Sequence, residues 1–381
     1  MSERYFASCP RGLEATLAAE LLAIGAVDTA SVDGGVGFTG GFDLAYRANL
    51  ESRIASRILW RVGSGRYRNE QDVHALAKSI DWPRHFRAER TLRVDVAATR
   101  SPLTSLEFAT LTIKDAVCDR FRDDAGVRPS VDKRAPDVRV AAHLTADEAT
   151  FYLDTSGEPL FKRGYRRDTE EAPLRENLAA GLIALSGWDP RTAFLDPMCG
   201  SGTLAIEAAL IAADRAPGLS RTFGFQKLAW FDGPAWQRMK QVARDRIRVP
   251  AQLPSIHASD NAHAAVARTH ANALAAGVAD CITITEADFL TRDAPAAQGT
   301  LLANPPYGVR LSDQQKIAQM YPLIGDALKK HFAGWTAWLF SADRTLPKLM
   351  HLKADSRTPL FNGALDCRLY QYRIMAGRML E

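Results

Sequence analysis

A chain of 381 residues with 46% hydrophobic and 24% charged residues has the composition of a globular protein, and its length favours two or three domains over one. The formal net charge of +4 permits a nucleic-acid partner without requiring one. No apolar run reaches the roughly 18 residues that a membrane helix needs, residues 1–10 do not resemble a signal peptide, and the five scattered cysteines form no CxxC pair. These observations argue against a membrane protein, a disulfide scaffold and a zinc protein, and they predict a cytoplasmic protein with no bound metal.

The first sixty or so residues predict a small α/β unit. Strand patterns at residues 4–8 and 58–62 flank helices over residues 13–24 and 43–52, and an Asp-Gly-Gly sequence within residues 32–38 suits a hairpin turn. This is the β-α-β-β-α-β order of the split βαβ, ferredoxin-like motif.

Residues 66–155 combine strands with a long helix. Strands are predicted at residues 92–97, 137–144 and 151–154. The helix spans residues 106–121 and has an apolar face through Leu111, Val117 and Phe121. Basic residues are frequent here, but acidic residues are interleaved with them, so the charge pattern alone predicts a solvated surface.

The rest of the chain alternates strands and helices after a polar linker at residues 157–171. Pro173 suits the first turn of a helix that ends near Ser186. Strands are then predicted at residues 193–196, 255–260, 282–286, 300–303 and 335–341, with helices at residues 202–214, 262–276 and 314–332. This alternation predicts a doubly wound parallel sheet. Two further strand patterns, residues 352–358 and 366–375, are joined by Asn362-Gly363 and predict an antiparallel hairpin that closes the sheet.

The run Phe-Leu-Asp-Pro-Met-Cys-Gly-Ser-Gly-Thr at residues 194–203 predicts a cofactor-binding loop. Asp196 ends a strand, where open α/β sheets bind their ligands, and Gly200 and Gly202 permit a tight turn into an Ala-rich helix. A carboxylate before the glycines would repel a pyrophosphate but suits the methionine part of S-adenosylmethionine. The run lacks the third glycine of the dinucleotide fingerprint and the lysine of the Walker A loop. An ordinary strand–glycine–helix turn stays open as the alternative.

The loop residues that we assign to the cofactor are Asp196, Pro197, Cys199, Gly200, Ser201, Gly202 and Thr203. We interpret Cys199 as a small buried residue and not as a nucleophile. Two later strand ends add further candidates. Asp260, next to Asn261, could accept both ribose hydroxyls, and Asp288 could receive the adenine amino group while Phe289 packs on the ring. Each acid alone is compatible with a capping role, but three acids after consecutive strands favour a cofactor site.

A second run, Asn304-Pro305-Pro306-Tyr307, predicts a binding site for the amino group of a planar base. An exocyclic amine of adenine or guanine is a poor nucleophile because its lone pair is delocalised into the ring. The Asn304 side-chain oxygen and the Pro305 carbonyl could accept its two hydrogens, the prolines stiffen the turn, and Tyr307 offers a face for stacking. We predict that Asn304, Pro305, Pro306 and Tyr307 are catalytic residues and that Asn304 also borders the cofactor. A purely structural Asn-Pro-Pro turn is the alternative.

Together the two runs resemble the THUMP-containing class I RNA methyltransferases, and the resemblance covers essentially the whole chain. Residues 161–166 (Phe-Lys-Arg-Gly-Tyr-Arg) and 172–180 (Ala-Pro-Leu-Arg-Glu-Asn-Leu-Ala-Ala) are similar to that family's interdomain linker and first methyltransferase helix. Residues 361–369 (Phe-Asn-Gly-Ala-Leu-Asp-Cys-Arg-Leu) are similar to the tail of the bacterial 23S rRNA guanine-N2 methyltransferases. The resemblance implies a Rossmann-like α/β methyltransferase domain with a seven-stranded sheet and a C-terminal antiparallel hairpin, preceded by ferredoxin-like and THUMP α+β domains.

The resemblance also implies domain boundaries, a reaction and a partner. The domains would be a ferredoxin-like domain at residues 1–62, an RNA-binding THUMP domain at 63–156, a linker at 157–172 and the methyltransferase domain at 173–381. The reaction would transfer a methyl group from S-adenosylmethionine to N2 of a guanosine in 23S rRNA. Some relatives carry a second methyltransferase domain that this sequence lacks, so one modification is expected. We also predict a monomer.

Four linker residues become candidates for contact with the RNA backbone: Arg163, Tyr165, Arg166 and Arg167. A linker arginine can equally form a salt bridge to the adjacent domain. The insertion at residues 217–250 interleaves aromatic and basic residues, which suits unpaired RNA, although packing of an extra flap onto the protein stays open. The competing functions are guanine-N2 methylation of tRNA, adenine-N6 methylation, and a non-catalytic ribosome-assembly factor with a vestigial pocket.

Overall fold

A computed structural model describes residues 2–166, 174–306 and 311–375. The chain divides into two compact units, each built from three separate segments. The first unit contains Met1–Ser8, Ala18–Leu160 and Arg221–Gln241, and the second contains Cys9–Leu17, Phe161–Ser220 and Val242–Glu381. The described residues of each unit hold one seven-stranded sheet.

The sheet of the first unit combines the strands predicted for two motifs. The elements in chain order are β1 (Glu3–Ser8), α1 (Glu14–Ile24), β2 (Asp28–Val32), β3 (Gly35–Gly40), α2 (Leu44–Glu51), β4 (Arg57–Arg66), α3 (Glu70–Ser79), α4 (Trp82–His85), β5 (Leu92–Ala98), α5 (Leu106–Ala125), β6 (Val138–Leu144) and β7 (Glu148–Asp154). The strand order is β2-β3-β1-β4-β7-β6-β5. Neighbouring strands are antiparallel except β5 and β6, which are parallel.

The ten-residue strand β4 joins the two motifs into that one sheet. Its first half pairs with β1, where Arg57 lies opposite Ser8. Nearly its whole length pairs with β7, from Leu59 opposite Asp154 to Arg66 opposite Glu148. The ferredoxin-like and THUMP strands are therefore continuous, and the boundary that we infer between residues 62 and 63 falls inside β4.

Helix α5 begins and ends where its sequence dictates. The Ser105 hydroxyl accepts a hydrogen bond from the Phe108 amide at 3.1 Å, and Gly126 ends the helix with φ of 68°. The prediction that Leu111 belongs to its apolar face was wrong, because Leu111 is 46% exposed whereas Val117 and Phe121 are buried. Residues at helical spacings of four form the buried stripe, and Leu111 lies off that stripe.

The second unit forms a mostly parallel sheet. The elements after β7 are α6 (Glu176–Ser186), β8 (Ala193–Asp196), α7 (Thr203–Ala212), α8 (Gly233–Asp245), β9 (Ile256–Asp260), α9 (His263–Ala276), β10 (Thr283–Glu286), β11 (Gly299–Ala303), α10 (Leu311–His331), β12 (Trp335–Ser341), α11 (Leu346–Leu349), β13 (Ser356–Asn362) and β14 (Leu365–Arg373). The strand order is β10-β9-β8-β11-β12-β14-β13. The first five of these strands are parallel, and β14 is antiparallel to both of its neighbours.

This topology confirms the predicted doubly wound sheet and its terminal hairpin. The first strand of the hairpin starts at Ser356, later than predicted. After β8 the chain adds strands on one side through β9 and β10, and then continues on the other side of β8 with β11. Such a reversal of strand order opens a crevice at the carboxyl ends of the two strands that flank it. The sheet therefore places its crevice between the ends of β8 and β11.

The aromatic residues of the insertion pack into the first unit. Phe223, Phe225 and Trp236 are at most 3% exposed. Tyr46 of α2 lies among them, with its ring centroid 4.6 Å from Phe225 and 5.9 Å from Trp230. Packing of an extra flap, one of the two alternatives for this insertion, is therefore what the structure shows, and the rings of Phe223, Phe225 and Trp236 are too buried to stack on RNA.

Candidate active site

The two sequence runs meet at the crevice between β8 and β11. These strands pair in parallel with Leu195 opposite Leu301, so Asp196 and Asn304 both follow at the same edge of the sheet. A cavity of about 630 Å³ opens there. Its volume lies within the range of roughly 300–1,000 Å³ that is typical of small-molecule sites.

Most of the predicted site residues line this cavity. They are Asp196, Pro197, Cys199, Gly200, Ser201, Thr203, Asp260, Asn261, Asp288, Phe289, Asn304, Pro305 and Pro306. Gly202 is not among the lining residues, and Tyr307 lies outside the described residues. The structure thus gathers the predicted residues in one place, while the ligand that each of them contacts stays a prediction.

The turn after Asp196 requires its glycines. Gly200 and Gly202 have φ of 54° and 81°, in the left-handed region that favours glycine. A Cβ at Gly202 would lie 2.6 Å from Thr269 Cγ2 of helix α9. The same helix holds the turn by side-chain hydrogen bonds, because Thr269 donates to the Gly200 carbonyl at 3.2 Å and Asn272 donates to the Ser201 carbonyl at 2.9 Å. Gly202 therefore shapes the turn where it packs against α9, and its contact with a cofactor stays a prediction.

Asp196 is a buried acid that faces the cavity. Its side chain accepts a long hydrogen bond of 3.4 Å from the Met198 amide, and the residue is 1% exposed. Burial raises the pKa of Asp196 to about 8, and the nearby charge of Asp260 acts in the same direction. A cationic ligand in the cavity would favour the carboxylate form, so the site is complementary to positive charge.

Asp260 is held in place by the loop that it faces. One of its carboxylate oxygens accepts a hydrogen bond from the Gly200 amide and the other accepts one from the Ala262 amide, both at 3.0 Å. Each carboxylate oxygen has a second lone pair. Asp260 therefore retains the capacity to accept two hydroxyl groups of a ligand from a fixed position.

Asp288 and Phe289 are placed at the third strand end. Asp288 is exposed and accepts a hydrogen bond from the Leu290 amide at 2.9 Å, which leaves its other oxygen available. Phe289 is 4% exposed and packs against Phe332 with ring centroids 5.4 Å apart. The Phe289 ring is thus part of the core of the sheet and also contributes to the cavity wall.

Asn304 presents an unsatisfied acceptor to the cavity. Its side-chain oxygen is buried and has no hydrogen-bond partner among the described residues. A buried polar atom without a partner costs about 1–3 kcal/mol. The adjacent Pro305 is buried and has no amide hydrogen, so it cannot supply the missing donor. This pattern is expected where a ligand donor completes the hydrogen bond.

Three of the four linker residues that we predicted to contact RNA are described, and they make contacts inside the second unit. Arg163 and Tyr165 are 6% and 3% exposed and converge on the buried Glu207, with Arg163 Nε 3.5 Å from Oε1 and the Tyr165 hydroxyl donating to Oε1 at 3.3 Å. Contact of these two side chains with an RNA backbone is therefore corrected: Arg163 forms the alternative, an ion pair within the protein, and Tyr165 forms a hydrogen bond to the same carboxylate. Arg166 donates to the Thr203 hydroxyl at 2.9 Å and pairs with Glu176, while Arg167 lies outside the described residues.

Eight further residues line the cavity and were not predicted: Leu174, Met198, Leu204, Ala262, Ala265, Arg268, Leu290 and Met320. Ala262, Ala265 and Arg268 are three residues apart and follow Asp260, so helical periodicity could have identified them. Met320 belongs to α10 and carries no local signal, because only the tertiary fold brings it to the cavity. Arg268 is the only cationic side chain among the described residues of the cavity wall.

The chain matches three known domain families. The RMKL-like methyltransferase domain matches residues 163–371, the THUMP domain matches residues 67–154, and the RlmL ferredoxin-like domain matches residues 4–59. The chain belongs to the RMKL-like methyltransferase family. The predicted fold, a class I methyltransferase domain preceded by ferredoxin-like and THUMP domains, is thereby confirmed.

The relatives in sequence are named as ribosomal RNA methyltransferases. Proteins from Shewanella sp. (strain W3-18-1) and Aeromonas hydrophila, each named "Ribosomal RNA large subunit methyltransferase K/L", are 41% and 39% identical over 98% of this chain. The matches cover 53% and 54% of those proteins, so the chain spans only about half the length of these relatives.

Solved structures resemble the chain along nearly its whole length. SMU.472, crystallised as a complex with SAH, is 29% identical with a TM-score of 0.90 and 99% coverage of both chains. A protein from Listeria monocytogenes, named a predicted N6-adenine-specific DNA methylase, is 29% identical with a TM-score of 0.89 and 98% and 97% coverage.

Two features are absent from the described residues. None of their helices combines the length and the apolarity needed to cross a membrane. Within the same residues, no three His, Cys, Asp or Glu side chains lie together in a way that could hold a metal ion.

Proposed function

We propose that this protein transfers a methyl group from S-adenosylmethionine to the exocyclic N2 of a guanosine in 23S rRNA. The observation that carries the proposal is the unsatisfied Asn304 oxygen at the edge of a cavity that Asp196 and Asp260 also line. This oxygen can accept a hydrogen bond and has no donor among the described residues. The exocyclic amine of a guanine has two hydrogens that it can donate.

The cavity residues fit S-adenosylmethionine. Asp260 would accept the two ribose hydroxyls, Asp196 would face the positively charged methionine part, and Arg268 would offer a counter-charge to its carboxylate. Asp288 would receive the adenine amino group. When bound, this cofactor supplies an electrophilic methyl group on a sulfonium. A related structure, SMU.472, was solved with SAH.

Asn304 and Pro305 would prepare the amine that receives the methyl group. The Asn304 side-chain oxygen and the Pro305 carbonyl would each accept one of its two hydrogens. Two fixed acceptors favour a pyramidal nitrogen whose lone pair is less delocalised into the purine. Pro305 and Pro306 restrict the turn, so the acceptors are preorganised, which is where hydrogen bonds contribute most to catalysis. Tyr307 retains its proposed stacking role.

The first unit supports an RNA substrate. Its residues 67–154 match the THUMP domain, and the relatives named above are ribosomal RNA large subunit methyltransferases. We accordingly propose an RNA-binding THUMP domain at residues 63–156, between a ferredoxin-like domain at 1–62 and a linker at 157–172, with the methyltransferase domain at 173–381. A monomer that acts in the cytoplasm is the corresponding proposal for its state and location.

Methyl transfer from labelled S-adenosylmethionine to protein-free 23S rRNA tests the proposal. Nuclease digestion and chromatography of the product should place the label on N2 of a guanosine. Label found only in a parallel assay with a tRNA pool would move the activity to the tRNA alternative, and label on N6 of an adenosine would move it to the adenine-N6 alternative. No transfer to any nucleic acid would support the assembly-factor alternative. The Asn304→Ala variant is the matched control for contaminating activity.

A further inference from the structure

A second, open cleft of about 730 Å³ lies on the second unit outside the cofactor cavity. Five cationic side chains line it: Arg344, Lys348, Lys353, Arg357 and Arg368. Asp355 is the one carboxylate among its described lining residues, and it is already engaged, because it accepts a hydrogen bond of 2.7 Å from the Arg373 amide. We call this site the basic cleft.

The charge of the basic cleft is only partly neutralised by the protein itself. Arg344 and Arg368 both form ion pairs with Asp366. Lys348, Lys353 and Arg357 are exposed and form no ion pair with any carboxylate in the part of the chain that the structure describes. An excess of cations in a concave surface attracts anionic ligands and raises their local concentration.

Apolar residues line the basic cleft together with the cationic ones. They are Pro347, Leu352, Pro359 and Tyr370, and we call them the apolar floor. Unpaired nucleotides combine a flat apolar base with an anionic phosphate, and proteins bind them with apolar or aromatic surfaces bordered by Lys and Arg. The basic cleft has both components, whereas a site for phosphate alone would need no apolar floor.

The sheet places the basic cleft on the same edge as the proposed acceptors. One row of paired residues runs across four strands, from Ala303 on β11 through Leu339 on β12 and Tyr370 on β14 to Arg357 on β13. Asn304 follows Ala303 directly. Because neighbouring strands are about 4.8 Å apart, Tyr370 lies roughly 10 Å and Arg357 roughly 14 Å from the Ala303 position. A short RNA segment can span this separation.

We propose that the basic cleft binds unpaired RNA nucleotides that flank the target guanosine, with their phosphates on Lys348, Lys353 and Arg357 and a base on the apolar floor. The proposal rests on the proposed function for the identity of the target. It extends the site from the reacting base to the surrounding strand and assigns RNA binding to the methyltransferase unit as well as to the THUMP domain. It also supplies the RNA contacts that the buried Arg163 and Tyr165 do not make.

A pair of matched triple variants tests the basic cleft. The cleft variant is Lys348→Ala, Lys353→Ala and Arg357→Ala. The control variant is Arg244→Ala, Arg248→Ala and Lys330→Ala, which removes the same charge from exposed residues of the same unit that do not line the cleft. The affinity for SAH, measured by calorimetry, should be the same in both variants as in the wild type. That result would show that each variant is folded.

Binding of a fluorescein-labelled single-stranded fragment of 23S rRNA is measured by anisotropy at several salt concentrations. Each lost phosphate contact on single-stranded RNA lowers the slope of log K against log salt by about 0.7, so the cleft variant should lose about 2 from the slope. The control variant should lose well under half of that. In methylation of the 23S rRNA transcript, the cleft variant should raise KM roughly ten-fold or more with kcat nearly unchanged.

Equal slopes and equal KM values in the two triple variants would overturn the basic cleft and leave the proposed function intact. The opposite result is also distinguishable. If the cleft variant loses salt dependence but the wild-type protein methylates no RNA, the basic cleft is supported and the proposed function is contradicted. Photo-crosslinking of a transcript that carries 4-thiouridine gives a measurement without substitutions. Crosslinks should map to residues 352–359, and crosslinks confined to the first unit would contradict the proposal.

Discussion

In the absence of a ligand, the buried Asp196 should destabilise the folded protein at neutral pH. Its pKa is raised from 3.8 to about 8 by burial, so the folded state holds a proton that the unfolded state has already released at neutral pH. For an acid whose pKa is raised by folding, the stability that the group contributes below the pKa of the unfolded state is lost as the pH rises through the pKa of the folded state. The free energy of unfolding should therefore fall between about pH 4 and pH 8 because of this group. A cation bound in the cavity would offset the cost.

Substitution of Asp196 by asparagine should separate stability from binding. An asparagine side chain cannot ionise, so Asp196→Asn should raise the unfolding free energy of the ligand-free protein at pH 8 by on the order of 5 kcal/mol and have little effect near pH 4. It should also weaken binding of S-adenosylmethionine, because the counter-charge is lost. Thermal melts across this pH range and calorimetry provide the two measurements. Unchanged affinity would show that Asp196 does not face the cationic part of the ligand.

Substitution of Asn304 should affect turnover and spare the cofactor. Asn304→Ala removes one preorganised acceptor, and the loss of one such hydrogen bond lowers kcat by about 10²–10³. The affinity for SAH should stay within about two-fold of wild type, since the acceptor binds the substrate amine in the proposed site. Asp260→Ala is the complementary variant and should weaken SAH binding first. Full turnover in Asn304→Ala would exclude the acceptor role.

At the scale of elements, the packing of the segment that ends α11 against α10 requires a glycine at position 325. Gly325 lies inside α10, where alanine would normally be favoured by about 1 kcal/mol. However, a Cβ at this position would overlap the backbone carbonyl of Met350, just after α11. A backbone atom cannot rotate away as a side chain can, and overpacking costs about 1–3 kcal/mol. The steric cost should therefore exceed the gain in helix propensity.

We expect Gly325→Ala to destabilise the protein by about 1–2 kcal/mol, measured by urea unfolding followed through tryptophan fluorescence. Gly233→Ala is the matched control, because its Cβ would make an ordinary contact of 3.6 Å with the Phe231 ring. That control should be neutral or slightly stabilising at the start of α8. A Gly325→Ala protein as stable as the control would show that α10 and α11 separate at little cost.

The sequence predicted the elements around the site better than those of the first unit. The sequence could identify Asp196, Gly200 and Asn304, because each belongs to a short pattern of neighbouring residues: the end of a strand or a turn. Helix α3 was not predicted, although Asn69 caps it by accepting a hydrogen bond from the Asp72 amide at 2.9 Å. The burial of Arg163 could not be predicted either, because its partner Glu207 is distant along the chain and no spacing rule links the two.

At the scale of the whole molecule, the shared strand β4 should couple the ferredoxin-like and THUMP motifs. Ile58 is fully buried and lies opposite Ala7 of β1. The Ile58 amide donates a hydrogen bond to the Ser156 hydroxyl at 2.8 Å. A perturbation there acts on both flanks of the sheet. No sequence pattern revealed this, because strand pairing across motifs depends on contacts that are distant in sequence.

Ile58→Ala should cost about 2–5 kcal/mol and accelerate amide hydrogen exchange in β3 and β6 to a similar degree. Exchange measured by mass spectrometry on peptides from these two strands tests this. Leu274→Ala, at a position that is 73% exposed, is the control and should leave both peptides unchanged. Faster exchange in β3 alone would show that the two motifs unfold independently.

The alternation of the chain between the two units limits how such a protein can be inherited or re-engineered. Each unit is assembled from three segments that are interleaved with those of the other, so no contiguous stretch of the gene encodes either unit alone. A single crossover between two homologous genes would leave segments from both parents in at least one of the two units. A chimera that exchanges one unit cleanly has to be joined at every segment boundary, including those after Leu160, Ser220 and Gln241.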